Sequence, residues 1–137
     1  MPILAGPEKA VAATKSFVGM LTASLGIVAG YLNDRSLLQA MNALPGLAHE
    51  ALTCDWSAGN MRLARSSSLF CIGRGINMAI AAEAALKLKE TCRLHAEAYS
   101  AAELLHGPVA MTNGKLGALI FGSEGKSAQT INAAFER

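Results

Sequence analysis

The rhythm of hydrophobic and polar positions changes once along the chain, near residue 66. Ahead of that point, Ala10 to Tyr31 carries apolar residues at nearly every helical offset, and Pro7 with Glu8 suits a first helical turn. Apolarity all round a helix implies cover on several sides. The polar run Asn33-Asp34-Arg35-Ser36 interrupts the pattern, and Ser36 is placed to cap a second helix from Leu37 to about Leu44. Pro45-Gly46 punctuates again, a third helix runs from Leu47 to about Asp55, and Trp56 to Arg65 forms a fourth helical segment.

After Ser66-Ser67-Ser68 the pattern shortens. Leu69-Phe70-Cys71-Ile72, closed by Gly73, predicts a strand of a parallel sheet buried on both faces. Gly73-Arg74-Gly75 turns the chain, and Asn77 to about Arg93 is rich in the strong helix formers Ala, Leu, Lys and Glu. Leu94 to Tyr99 predicts a second strand, Ala101 to Leu105 one or two helical turns stopped before Gly107-Pro108, and Leu116 to Phe121 a third strand. Ser127 to Arg137 starts a last helix. This alternation predicts an α/β fold with a parallel sheet flanked by helices over residues 67–137, preceded by an α-helical connector over residues 1–66. Three strands are few for such a sheet, and the sequence opens and closes inside helical patterns. It therefore reads as part of something larger.

Composition narrows the classes. With 52% hydrophobic and 16% charged residues, 137 residues can bury a core, which excludes disorder. Twelve basic side chains against ten acidic ones leave a net charge of +2, too even to argue for nucleic acid or an anionic membrane surface. One Trp, two Tyr and four Phe are too few for a base-stacking platform. Phe17 to Leu32 is broken by Thr22, Ser24, Gly26 and Gly30 and falls short of the roughly 20 residues of a membrane span. The N-terminus has no basic n-region followed by an apolar run, so a cytoplasmic location is the expectation. Cys54, Cys71 and Cys92 are odd in number and widely spaced, and are read as small buried hydrophobes in a reducing compartment.

Candidate chemistry concentrates in two places. On the helix after Gly75, Glu83, Lys87 and Glu90 fall within a stripe roughly 60° wide at 100° per residue. The stripe fits a solvated ion-pair ladder, and equally a carboxylate base beside an ammonium that tunes it. His106, in Leu104-Leu105-His106-Gly107-Pro108, sits where a helix ends and the backbone becomes irregular. It fits a structural histidine, or an imidazole able to move a proton near neutral pH. His49 and His95 look ordinary, and no His, Cys, Asp or Glu spacing suggests a metal site. Gly73-Arg74-Gly75 lacks the third glycine and the distal acidic residue of a dinucleotide fingerprint.

Together these segments resemble the sugar isomerase (SIS) superfamily, and within it the isomerase half of the glutamine–fructose-6-phosphate aminotransferases. Two blocks carry the resemblance. One is Ala5-Gly6-Pro7-Glu8-Lys9-Ala10-Val11-Ala12-Ala13-Thr14-Lys15-Ser16-Phe17, similar to the connector into the second sugar-isomerase subdomain. The other joins Gly73-Arg74-Gly75, Glu83-Ala84-Ala85-Leu86-Lys87-Leu88-Lys89-Glu90, and the run from His95 to Pro108. The resemblance implies a partial SIS subdomain acting on a phosphorylated hexose or hexosamine. Glu90 would move the proton between sugar carbons 1 and 2, with Lys87 beside it. His106 would open the sugar ring from a neighbouring subunit, so a homo-oligomer, most simply a dimer, is expected. The backbone of Val11, Ala12 and Ala13 would line the substrate pocket, although the family usually has Ser where this chain has Ala13. No metal or organic cofactor is implied. The glutaminase domain, the first sugar-isomerase subdomain and the C-terminal tail of the family have no counterpart here, which also brings the SIS-type glucosamine-6-phosphate deaminases into view. A non-catalytic sugar-phosphate-binding or regulatory module is the alternative.

Overall fold

The structure is a computed structural model that describes residues 2–112, 115–122 and 131. It divides into two compact units, Met1–Trp56 and Ser57–Arg137.

The first unit is helical. Helix α1, Thr14–Leu32, starts four residues later than the apolar pattern suggests. Its N-cap residue, Ala13, has no side chain to offer the first free N–H groups. Glu8 supplies the acceptor from outside the helix: its carboxylate takes hydrogen bonds from the Ser16 N–H at 3.0 Å and the Ser16 hydroxyl at 2.5 Å. Pro7 and Glu8 thus form no helical turn but brace one, with the Lys15 ammonium donating to the Pro7 carbonyl at 2.6 Å. Asn33 closes α1 in the left-handed conformation, its N–H returning to the carbonyls of Ala29 and Gly30. At 19 residues, α1 is long and apolar enough to cross a membrane by length and composition, so the shortfall counted from Phe17 does not hold.

Helix α2, Arg35–Thr53, corrects two further expectations. Its N-cap is Asp34, whose carboxylate accepts from the Leu37 N–H at 3.0 Å, and not Ser36. Pro45 lies inside one continuous helix where two had been expected. An interior proline forfeits one backbone bond and crowds the preceding turn, at about 3 kcal/mol. The helix nonetheless runs unbroken through Pro45, and Leu44, Leu47 and Ala48 around it line a groove with Val18, Leu21 and Leu25 of α1.

The second unit is a three-stranded parallel sheet. Helix α3, Ser57–Leu63, leads into β1, Ser68–Gly73, followed by α4, Asn77–Cys92, and β2, His95–Ser100. Then come the single turn α5, Ala101–Leu104, a 3-10 turn over Pro108–Met111, and β3, Leu116–Ile120. The strand order is β2-β1-β3, with Ser68 opposite His95 and Leu116. As the central strand, β1 is buried on both faces. Leu69 and Cys71 pack on Ala81, Ala85 and Ala96, with Leu88 and Leu63 beside them. Phe70 and Ile72 face the other way, onto Ala101, Leu104 and Ile131. Gly73 is required where β1 meets α4, since a β-carbon there would land on the Asn77 carbonyl. The expected last helix, Ser127–Arg137, lies outside the described residues except for Ile131, which is helical and buried.

Only Cys71 is a buried cysteine; Cys54 and Cys92 are exposed. Burial pushes the Cys71 thiol upward, against a smaller opposing pull from Lys89, which leaves it a packing residue.

Candidate functional site

Helix α4 crosses from the C-terminal edge of the sheet back to its N-terminal edge. Its first residue, Asn77, donates from Nδ2 to the Phe121 carbonyl just beyond β3, and its last turn feeds the start of β2. The face bearing Ala81, Ala85 and Leu88 is spent on the sheet. Glu83, Lys87 and Glu90 therefore share the opposite face, as their spacing requires.

The three side chains form one cluster. The Lys87 ammonium sits 2.6 Å from Glu90 Oε2 and 3.4 Å from Glu83 Oε1. Side-chain exposure is only 19% for Lys87, 18% for Glu83 and 25% for Glu90. Glu90 as a whole residue is exposed and its bond to Lys87 lies at the surface, so the cluster is partly screened and still open to solvent. The hydrogen bond to Glu90 holds the Lys87 pKa above the ordinary lysine range, with Glu83 adding to it and partial desolvation working against it. The ammonium thus stays charged through neutral pH, a fixed cation between two carboxylates. Such a cluster can hold a carboxylate ready to accept a proton from carbon while the cation limits the charge that builds up around it.

His106 lies on the other side of the sheet. α5 packs through Ala101 and Leu104 onto the Phe70 and Ile72 face, directly after β2 leaves the C-terminal edge. The imidazole is exposed, and the His106 N–H donates to the Glu103 carbonyl at 3.0 Å. Glu90 belongs to the last turn of α4, near the N-terminal edge. Within one chain the two groups thus stand on opposite faces and at opposite ends of the sheet. Among the described residues, no hydrogen bond or ion pair joins His106 to Glu90 or Lys87. Val11, Ala12 and Ala13 lie in the first unit ahead of α1, with Val11 strongly exposed and the two alanines half-buried.

Two polar features escaped the reading of the sequence. Tyr99 donates to Glu97 Oε2 at 2.6 Å while its ring meets Phe70 edge-on at 4.8 Å, and His95 Nε2 stands 3.9 Å from the other Glu97 oxygen. The bond to Glu97, then desolvation, raises the Tyr99 phenol above its usual range. His95, Glu97 and Tyr99 alternate along β2, so the period-two rule alone puts them on one face. The second feature is a complete capping box over Ser100-Ala101-Ala102-Glu103, a spacing visible in the sequence.

A parallel α/β layer whose crossover helix carries a carboxylate–ammonium cluster is the class of domain that sheet and site define. The SIS domain family matches residues 62–136, more than half of the chain, and the chain belongs to that family. It is 38% identical over 122 residues to glutamine–fructose-6-phosphate aminotransferase (isomerizing) of Bradyrhizobium diazoefficiens, covering 81% of this chain and 20% of that protein. To the enzyme of the same name from Haemophilus influenzae it is 34% identical over 143 residues, covering 96% and 23%. The chain thus spans about a fifth of the length of the curated relatives it matches. Among solved structures it matches a protein provisionally described as a phosphosugar isomerase from Silicibacter pomeroyi, at TM-score 0.89 and 41% identity, covering 96% of this chain and 40% of that one. It also matches the C-terminal domain of glucosamine-fructose-6-phosphate aminotransferase from Francisella tularensis, at TM-score 0.80 and 29% identity, with the same coverage. Both matches are wide enough to take in α1, which therefore has its counterpart in those domains.

Proposed function

We propose that this chain supplies part of a site that interconverts glucosamine 6-phosphate and fructose 6-phosphate, as a synthase-type isomerase or a deaminase. The observation that carries the reading is the Lys87–Glu90 pair, held at 2.6 Å on the face of α4 turned away from the sheet. In the amino-sugar direction, His106 opens the ring by moving a proton between the ring oxygen and the C1 hydroxyl. Glu90 then takes the proton from C2 of the open-chain aldehyde and returns it at C1, while a second proton passes from the amine nitrogen to O1, leaving a C1 hydroxyl and an imine at C2. The conjugated carbonyl holds the electron pair meanwhile, so the proton count balances without an external acceptor. Lys87 is the electrostatic partner that fixes Glu90. Water hydrolyses the imine and releases ammonia in the deaminase direction, whereas the synthase direction consumes ammonia. The backbone of Val11, Ala12 and Ala13 lines the sugar.

The separation of His106 from Glu90 within one chain supports a site shared between two copies, each giving one of the groups. The same separation favours a second reading, a non-catalytic sugar-phosphate-binding or regulatory module completed by no second copy. Proton NMR of glucosamine 6-phosphate in deuterated buffer, following the C2 proton and ammonium, separates the two. The catalytic reading expects exchange that falls at least about 100-fold in Glu90→Gln. Exchange untouched by that substitution overturns it, whereas absence of exchange from the folded chain means that the chain is a piece of the catalytic unit and does not work alone.

A further inference from the structure

We infer that the Ser100–Glu103 capping box is the device that positions His106, an inference that rests on the role proposed for that imidazole. Ser100 holds two places at once. It is the last residue of β2, in register with Gly73 of the buried central strand, and it is the N-cap of α5. Its hydroxyl accepts from the N–H groups of Ala102 at 3.3 Å and Glu103 at 3.4 Å. The Glu103 carboxylate reaches back to the Ser100 N–H at 3.4 Å. The Glu103 carbonyl then accepts from the His106 N–H at 3.0 Å. An unbroken run of bonds thus leads from the sheet to the backbone of His106.

This run matters because α5 has only four residues, far too few to hold a helix by its own propagation. Ala101 and Leu104 anchor one side of the turn in the core, which fixes its position but leaves its pitch free. The box sets the pitch, and with it the direction in which His106 leaves the turn. Gly107 follows with φ 159° and opens the 3-10 turn, its carbonyl accepting from the Ala110 N–H at 2.9 Å. A group that must meet a sugar held elsewhere is best carried on a rigid element with its support built in. Ser100 and Glu103 are positioning residues in this sense and touch no substrate.

The test uses the full chain with selectively labelled histidines. Ser100→Ala should shift or broaden the His106 imidazole resonances and speed amide exchange at Ala102, Glu103 and His106, with His49 and His95 unmoved. Ser100→Thr, which keeps the hydroxyl, should restore the wild-type signals. In C2-proton exchange, Ser100→Ala should lower kcat about 10- to 100-fold with KM unchanged, and should cost nothing further in a His106→Asn background. Should Ser100→Ala fail to fold, Ser100→Gly removes the hydroxyl while tolerating the N-cap backbone and carries the same comparison. Unmoved His106 resonances in a folded variant, or losses that multiply with those of His106→Asn, overturn the inference. If His106→Asn itself leaves exchange unchanged, the ring-opening role fails, while the resonances still decide whether the box positions the residue.

Discussion

The two units of this chain treat apolar side chains in opposite ways. In Ser57–Arg137, β1 is enclosed by α4 on one side and by α5 with Ile131 on the other, so Leu69, Phe70, Cys71 and Ile72 are all buried. In Met1–Trp56, Ala29 is the single buried hydrophobic among the described residues, although α1 is the more uniformly apolar of two helices of 19 residues each. Val18, Met20, Ile27 and Tyr31 remain more than half exposed. Apolar composition and burial are separate quantities: a sheet strand can be covered on two faces within one small unit, whereas a helix pair encloses only the groove between its members.

That contrast can be broken by the core of the second unit. Phe70→Ala removes the ring that packs on Tyr99, Ala101 and Leu104, and should cost about 3–5 kcal/mol. In urea unfolding the far-UV signal of the sheet unit should shift, while the fluorescence of Trp56, the only tryptophan and at the end of the first unit, stays in place. A parallel shift of both signals would mean that the units unfold as one.

Pro45→Ala should act on the opposite unit and with the opposite sign. Restoring the backbone bond in α2 should raise the Trp56 transition by about 1–3 kcal/mol, less than the full interior-proline penalty because the unfolded chain regains freedom. Loss of stability instead would show that the proline ring is itself part of the α1–α2 packing.

The smallest effect is a pH response of the second unit. The bond to Glu97 favours the neutral phenol of Tyr99 and raises its folded pKa. Its contribution to stability is therefore complete below the ordinary tyrosine value, about 10, and is lost as pH rises through the folded value. The drop in unfolding midpoint above pH 10 should be smaller in Tyr99→Phe than in the wild type. Equal drops would remove the Tyr99–Glu97 bond from the account.

The α/β half was legible in the sequence because its signals are local and agree with one another. Leu69 to Ile72 is a compact apolar run, Gly73 marks a turn that steric contact with Asn77 makes obligatory, and the residues of α4 are strong helix formers. Glu83, Lys87 and Glu90 were legible as one stripe from helical geometry alone. The helical half was less so. Pro45 signals a break, yet α2 runs through it unbroken, and Glu8 acts eight residues away from the helix turn it caps, a distance no local rule covers. Asp34 and Ser36 are both good caps, and the choice between them rests on one backbone conformation. His106 was legible as a candidate by residue type and place. Its position across the sheet from Glu90 follows from strand pairing, which lies beyond any single segment.

The central claim is that Glu90 and His106 act together only across two copies of the chain. It is tested most directly by mixing Glu90→Gln with His106→Asn and following C2-proton exchange in glucosamine 6-phosphate. Each variant alone should fall at least about 100-fold. An equal mixture, allowed to exchange subunits, should recover about a quarter of wild-type activity, since half the dimers are mixed and each mixed dimer holds one intact site. A mixture no more active than its parents, beside an active wild type, would contradict the account.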